Sequence, residues 1–179
     1  MSPVVVLVGP PGAGKTTTGR LLAERLGVSL RDTDEDVEAG AGKTIMEIFT
    51  EDGESAFREL ERRAVREALA EHEGVLALGG GAILDAGTRE LLAGHRVAFL
   101  NVGMAEGVRR TGLSAARPLL IGVNPRATFK ALLDGRIPLY REVATIEVDT
   151  DAHDADRAAQ RILDAIGVTA DGPSPTPGT

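Results

Sequence analysis

The segment VVVLVGPPGAGKTT, residues 4–17, joins an apolar run to a glycine-rich loop. Gly9 to Thr16 matches the pattern GxxxxGK[ST] at every fixed position. The loop follows a predicted strand, Val4–Val8, and opens a predicted helix, Lys15–Leu26. Glycines let backbone N–H groups converge on one point, and a helix N-terminus adds positive potential there. The segment therefore predicts a phosphate-binding loop; the alternative is a plain turn with a solvated Lys15.

The composition limits the class of protein. The chain of 179 residues fits one domain, and its 42% hydrophobic and 26% charged residues are ordinary for a globular protein. A net charge of −7 argues against a nucleic-acid or membrane surface, so cations should converge locally on any anion. The chain has no cysteine, which excludes thiolate metal sites, and the apolar run near its start is too short for a signal peptide. We expect a cytoplasmic monomer.

Apolar runs of strand length alternate with helix-like segments. Strands are predicted at Val4–Val8, Val28–Arg31, Val75–Leu78, Val97–Leu100 and Thr145–Val148. Helices are predicted at Lys15–Leu26, Ser55–His72, Leu84–Ala93, Ala105–Arg110, Arg126–Leu133 and Ala155–Ile166. This alternation predicts an α/β fold, with a parallel sheet covered by helices on both faces. Residues 111–124 lack the regular spacing of apolar residues that marks a helix or strand, which predicts a flexible lid. Residues 170–179 are rich in proline, which predicts a disordered tail beyond a domain at 1–169.

Two carboxylates, Asp32 and Asp34, follow the second predicted strand. The carboxyl ends of parallel strands face the ligand crevice, so both should lie near the loop. We expect the Thr16 hydroxyl to ligate Mg²⁺ and Asp32 to support the metal through water. Asp34 would orient a substrate hydroxyl and accept its proton. The local alternative makes Asp32 a turn residue and Asp34 the N-cap of a helix that begins at Glu35.

The third predicted strand ends in Gly79-Gly80-Gly81, where many nucleotide-hydrolysing proteins place an Asp. Three glycines leave a floor without side chains, which a small ring could approach closely; a simple turn is the alternative. Arg58 and Arg136 are the candidates for binding an anionic substrate, because a guanidinium fork matches a carboxylate at two points. For each arginine the alternative is a solvated surface position.

The motifs GPPGAGKTT, DTD, FRELE, LGGG, ARPLL and GRIPLYREVA occur in this order, and the chain resembles the shikimate kinases from Val4 to about Ile166. The resemblance implies a P-loop α/β/α fold with three layers, a five-stranded parallel sheet in order 2-3-1-4-5 and a mobile lid at about 111–124. It implies phosphorylation of the 3-hydroxyl of shikimate by ATP with Mg²⁺, giving shikimate 3-phosphate and ADP, in the biosynthesis of chorismate and the aromatic amino acids.

The resemblance also implies a role for each motif residue. The ATP-binding residues would be Gly12, Ala13, Gly14, Lys15, Thr16, Thr17, Arg110 and Arg117. The shikimate-binding residues, within about 32–61 and beyond, would be Asp34, Arg58, Gly80, Gly81 and Arg136, with Glu61 orienting Arg58. The catalytic residues would be Lys15, Asp34 and Arg117, and the metal would lie at Thr16 and Asp32.

The chain departs from the family where adenine would bind. Family members often have an arginine just after the last strand, whereas this chain offers His153, with Arg110 before the lid. Three other functions stay open: a gluconate kinase, a nucleoside monophosphate kinase, or a nucleotide-dependent switch without catalysis on a second substrate. The combination of DTD with the glycine triplet weighs against gluconate, and the scarcity of aromatic residues weighs against a nucleotide acceptor. A switch would not need Arg58 and Arg136.

Overall fold

A computed structural model describes residues 2–102, 106, 125–150 and 154–167. Several predictions fall outside these residues. They are the lid at 111–124, the tail at 170–179, the residues Arg110, Arg117 and His153, and the predicted helix Ala105–Arg110 apart from residue 106.

Five strands and seven α-helices form the described part of the chain. The strands are β1 Val5–Val8, β2 Leu30–Asp32, β3 Val75–Ala77, β4 Val97–Asn101 and β5 Ile146–Asp149. The helices are α1 Lys15–Leu26, α2 Thr33–Ala41, α3 Ile45–Glu51, α4 Glu54–Glu71, α5 Ala86–Leu92, α6 Pro125–Val143 and α7 Ala155–Ala165, with a 3₁₀ turn at Ala82–Leu84.

The strands form one parallel sheet in the order β2-β3-β1-β4-β5. The predicted order 2-3-1-4-5 is therefore confirmed. Alternate residues of β1 enter two separate cores: Val5 and Leu7 pack with α1 and α7, and Val6 and Val8 pack with α4 and the end of α6. Burial on both faces explains why β1, β3 and β4 are nearly continuous apolar runs, whereas the edge strands β2 and β5 carry charged residues. Helices on both faces of the sheet give the three layers.

The prediction missed the two short helices α2 and α3, which have nine and seven residues and whose starts are set by capping contacts. The Asp32 side chain accepts a hydrogen bond from the backbone N–H of Asp34 and caps α2. Thr44 and Glu47 form a reciprocal capping box at the start of α3. These helices carry the chain from the end of β2 to α4, and they place the DTD motif at a helix start.

The predicted end of the helix Arg126–Leu133 is wrong, because α6 continues through Pro138 to Val143. A proline inside a helix removes one backbone hydrogen bond, which normally favours termination. Here Phe129, Leu133 and Tyr140 are buried along one stripe, so tertiary packing sustains the helix beyond the breaker. No helix in the described ranges is both long and apolar enough to cross a membrane.

Candidate active site

The glycine loop adopts the strand-loop-helix form that its sequence predicts. Gly14, in the left-handed region at φ 86°, leads into α1, and it offers no side-chain cap to the first turn of that helix. Lys15 turns back over the loop, and its Nζ donates to the carbonyl oxygens of Gly9 at 2.6 Å and Pro10 at 3.1 Å. The ammonium charge is therefore held at the mouth of the loop, beside Thr16 in the first helical turn. Such a loop suits a phosphate chain.

Asp32 and Asp34 have different surroundings. The Oδ1 atom of Asp32 accepts from the N–H of Asp34 at 2.9 Å, so Asp32, and not Asp34, is the N-cap. Burial and then the neighbouring charge of Asp34 raise the pKa of Asp32 to about 6, although Lys15 lowers it. The helix starts at Thr33, so the local alternative with a helix from Glu35 is wrong. Asp32 thus lies near the charge of Lys15, and it is the residue that caps α2.

The glycine triplet is the point on which the predicted substrate residues converge. A Cβ on Gly79 would lie 2.5 Å from Oδ1 of Asp34. A Cβ on Gly80 would lie 3.5 Å from a guanidinium nitrogen of Arg136, and one on Gly81 would lie 2.8 Å from Cζ of Arg58. Side chains from α2, α4 and α6 therefore meet over this glycine floor, residues 79–81, and a side chain at Gly79 or Gly81 would displace the charged group above it.

Two buried charges of opposite sign lie above the floor. Glu61 is 4% exposed and Arg136 is 6% exposed. Nη1 of Arg58 donates to Oε1 of Glu61 at 2.8 Å, and Nη2 donates to Glu54 at 3.3 Å. Burial raises the pKa of Glu61, and the charges of Arg58 and Arg136 oppose that rise. Because buried charges require partners, Glu61 fixes Arg58 at the floor, as the resemblance implied.

Two adjoining clefts open beside these residues. Arg58 and Glu61 line one, Arg136 lines the other, and both clefts share Glu54 and Leu84. Glu54 was not predicted as a site residue, although its position four residues before Arg58 on one helix is the signal that could have found it. Both predicted arginines are largely shielded from solvent, with Arg136 6% exposed and the Arg58 side chain 17% exposed.

A third cleft, of about 320 Å³, lies on the other side of the phosphate loop. Ala13, Gly14 and Thr17 line it from the loop and α1, while Thr150 and Asp154 line it from the connection between β5 and α7. Three of the predicted ATP-binding residues, Ala13, Gly14 and Thr17, therefore share a cleft with residues that follow the last strand, where adenine was predicted to bind. Thr150 and Asp154 were not singled out from the sequence, because nothing in that stretch indicated which residues would turn inward.

Comparisons with known proteins show the family of the chain. A family model described as shikimate kinase matches residues 11–167. The chain belongs to the shikimate kinase family. A shikimate kinase of Saccharopolyspora erythraea is 68% identical over 93% of this chain and 95% of its own length. Another, of Streptomyces coelicolor, is 59% identical over 92% of this chain and 96% of its own length.

Solved structures place the fold in the same family. The shikimate kinase from Acinetobacter baumannii in complex with shikimate has a TM-score of 0.88 and 42% identity, covering 93% of each chain. A gluconokinase from Sinorhizobium meliloti has a TM-score of 0.54 and 18% identity, a likeness that shows the fold alone. Of these two solved structures, the shikimate kinase is more similar to this chain in both backbone fold and sequence.

We expect Gly79→Ala to lower kcat/KM by about 10- to 100-fold, because small displacements of reacting groups are costly. The new methyl group would lie 2.5 Å from Asp34 and 2.9 Å from a carboxylate oxygen of Glu61. Both contacts are the ends of flexible side chains, so the carboxylates should move while the fold persists.

Gly40→Ala is the control, since a Cβ there meets nothing within 4 Å. It should leave kcat/KM unchanged and stabilise α2 by about 0.5–1 kcal/mol. Equal kcat/KM for both variants in steady-state assays would contradict this prediction.

The stability of the protein should fall at alkaline pH through Tyr140. Burial raises the pKa of Tyr140 to about 12 from 10.0, outweighing the opposite effect of Arg136. The unfolded chain therefore ionises first. The neutral phenol therefore contributes about 3 kcal/mol to the free energy of unfolding below about pH 10, and this contribution is lost as the pH rises toward about 12. Denaturant unfolding of the wild type and Tyr140→Phe across this range checks the effect; parallel pH dependences in the two proteins would refute it.

Proposed function

We propose that this protein transfers the γ-phosphoryl group of ATP to the 3-hydroxyl of shikimate, giving shikimate 3-phosphate and ADP, in the biosynthesis of chorismate and the aromatic amino acids. The convergence of Asp34, Arg58 and Arg136 on the glycine floor, next to the phosphate loop, supports this proposal most strongly. A small hydroxy acid offers a carboxylate to the arginines and a hydroxyl to the aspartate. The shikimate bound to the A. baumannii relative agrees with this choice of acceptor.

Phosphoryl transfer depends mostly on positioning and on neutralising charge. In our proposal Arg58 and Arg136 hold the carboxylate of shikimate, and Gly80 and Gly81 let the ring lie against the backbone. Asp34 then orients the 3-hydroxyl and accepts its proton. The buried Glu61 keeps Arg58 in place. The carboxylate of shikimate would supply a countercharge for the buried guanidinium of Arg136.

The nucleotide occupies the other half of the site in this proposal. Backbone N–H groups from Gly12 to Thr17 and the Lys15 ammonium bind its phosphates, and the cleft lined by Thr17 and Thr150 extends from that loop. Arg110, and Arg117 of the lid with its catalytic role over the phosphates, remain predictions outside the described residues. The location in the cytoplasm, the monomeric state and the absence of nucleic-acid and membrane partners also remain predictions.

The residues near the loop fit Mg²⁺ as the metal that accompanies ATP. Among the described residues, no group of three or more His, Cys, Asp and Glu side chains could hold a metal ion. Mg²⁺ does not need such a cage, because it is usually bound by one or two protein oxygens, phosphates and water. The Thr16 hydroxyl and Asp32 would supply those oxygens, and a cation would offset the repulsion between Asp32 and Asp34. Bound there, Mg²⁺ would neutralise phosphate charge.

Acceptor-dependent release of ADP tests this function. We expect purified protein with ATP and Mg²⁺ to release ADP when shikimate is added, and to release much less with quinate or gluconate. Activity confined to gluconate would establish the gluconate kinase alternative. Slow ADP release that no acceptor stimulates would instead indicate a nucleotide-dependent switch.

A further inference from the structure

We propose that two buried hydroxyls, those of Thr33 and Tyr140, hold the backbone of the glycine floor in the shape that binds shikimate. Both are positioning residues, since they act on the substrate through Gly79 and Gly80. The inference rests on the proposed function, because shikimate is the acceptor that the floor is taken to bind. Neither hydroxyl has a place in the transfer of the phosphoryl group.

The two hydroxyls reach the floor from different helices. Oγ1 of Thr33, the first residue of α2, accepts from the backbone N–H of Gly79 at 3.2 Å. The Tyr140 hydroxyl, on α6, donates to the carbonyl oxygen of Gly80 at 2.5 Å. Both side chains are fully buried, at 0% exposure. The Tyr140 ring is itself fixed, because it stacks on Phe99 with 4.9 Å between ring centroids.

Backbone hydrogen bonds hold part of the floor, because the N–H of Ala82 donates to the carbonyl of Gly79 at 3.0 Å and the N–H of Leu84 donates to the carbonyl of Gly81 at 3.1 Å. The two hydroxyls bind the other groups, the N–H of Gly79 and the carbonyl of Gly80. One hydroxyl sets the peptide plane that enters Gly79, and the other sets the plane that leaves Gly80. Between those planes lie the backbone angles of two glycines, which have more conformational freedom than any other residue. A floor of glycines is required for close approach of the ring and of the charged side chains. The hydroxyls add rigidity to a stretch of backbone whose residues have no side chains to restrict it.

Tyr140 also connects the floor to the residue that binds the carboxylate. Arg136 precedes Tyr140 by one helical turn, so the two side chains lie on the same face of α6. The guanidinium is close enough to the phenol to favour its ionised form through charge and hydrogen bonding, although burial prevails. Arg136 is also 3.5 Å from the Cβ position of Gly80. One hydroxyl thus sets the relative position of the arginine and the floor.

Tyr140→Phe and Thr33→Val test the proposal. Each variant removes one hydroxyl, keeps the shape of the side chain and leaves a buried backbone group unsatisfied. We expect each to raise KM for shikimate about 5- to 100-fold, the effect of losing one buried hydrogen-bond partner. KM for ATP should stay within about twofold, because the phosphate loop is untouched. Thr33→Ser restores the acceptor oxygen and should recover most of the affinity for shikimate.

A purely structural role would give a different result. If Thr33 and Tyr140 only support the fold, both variants lose thermal stability while KM for shikimate stays at the wild-type value, and the inference is then wrong. Because both hydroxyls act on one floor, the double variant should raise KM by less than the product of the single effects.

The wild-type protein offers a second test that no folding defect can obscure. Tyr140 is the single tyrosine of the chain, and there is no tryptophan. Near-ultraviolet absorbance and fluorescence therefore report on this hydroxyl. Saturating shikimate should perturb the tyrosine spectrum, whereas Mg²⁺ and ADP alone should perturb it much less. No spectral change on addition of shikimate, in protein that releases ADP with shikimate, would overturn the inference.

The two failures can be told apart. If wild-type protein releases no ADP with shikimate, the proposed function fails. If shikimate supports turnover and the variants bind it normally, only the positioning roles fail. If quinate is the acceptor that supports turnover, the same KM and spectral measurements are made with quinate, and unchanged values would again overturn the inference.

Discussion

Replacement of Asp34 by Asn is expected to lower kcat by about 10²- to 10⁴-fold, the range found for removal of a general base. Asn keeps the size of the side chain and can still contact a hydroxyl, but it cannot take up the proton. Asp34 lies against the glycine floor, 2.5 Å from the Cβ position of Gly79, where the acceptor hydroxyl would be held. Steady-state kinetics with shikimate and ATP would measure the loss.

The fold should tolerate this change. Asp34 carries a like charge beside the buried Asp32, and this repulsion contributes to the raised pKa of Asp32. Removing the charge should therefore leave the thermal midpoint unchanged or slightly higher. Asp36→Asn is the matched control on the same helix, because Asp36 pairs with Arg31 at 2.7 Å, away from the floor. Near-normal kcat in Asp34→Asn, or an equal loss in Asp36→Asn, would end the assignment of Asp34 as the base.

Arg136→Ala should chiefly weaken shikimate binding, raising KM about 10²- to 10³-fold. Truncating one partner of a buried, hydrogen-bonded charge pair costs about 2–5 kcal/mol, because the other charge is left without a partner. Arg136 is 6% exposed, so water cannot easily replace it. The same removal should leave KM for ATP nearly unchanged. Steady-state kinetics with each substrate varied in turn would separate the two effects.

Arg141→Ala provides the control for Arg136. It lies on the same helix, and its Nε donates to Glu147 at 2.8 Å on the surface, with 57% of the side chain exposed. Exposed pairs contribute little, so shikimate binding should be normal in this variant. A rise in KM for ATP equal to that for shikimate in Arg136→Ala would mean that the arginine serves the nucleotide or the fold and not the acceptor.

The phosphate loop and the sheet could be predicted because their signals are local. The fixed residues of the loop lie close together in the sequence, from Gly9 to Thr16, and strands buried on both faces are continuous apolar runs. The short helix α2 was not predicted, because its start depends on one capping contact, in which the Asp32 side chain accepts from the N–H of Asp34. The full length of α6 could not be predicted, because the burial of Tyr140 stabilises the helix beyond Pro138, a residue that usually ends helices.

The supports of the site were harder to predict than its charges. Arg58, Arg136 and Asp34 could be chosen by residue type, because their chemistry suits a hydroxy acid. Thr33 and Tyr140 could not, because their value lies in partners that are 46 and 60 residues away along the chain. A hydroxyl in a sequence does not reveal which distant backbone group it will meet.

A crystal structure with ADP, Mg²⁺ and shikimate bound is the most direct test of the central claim, that one edge of the sheet holds a phosphate chain and a hydroxy acid side by side. We expect the carboxylate of shikimate between Arg58 and Arg136, the ring on residues 79–81 and a ring hydroxyl on Asp34, facing the nucleotide. Shikimate bound elsewhere, or with its carboxylate away from both arginines, would contradict it.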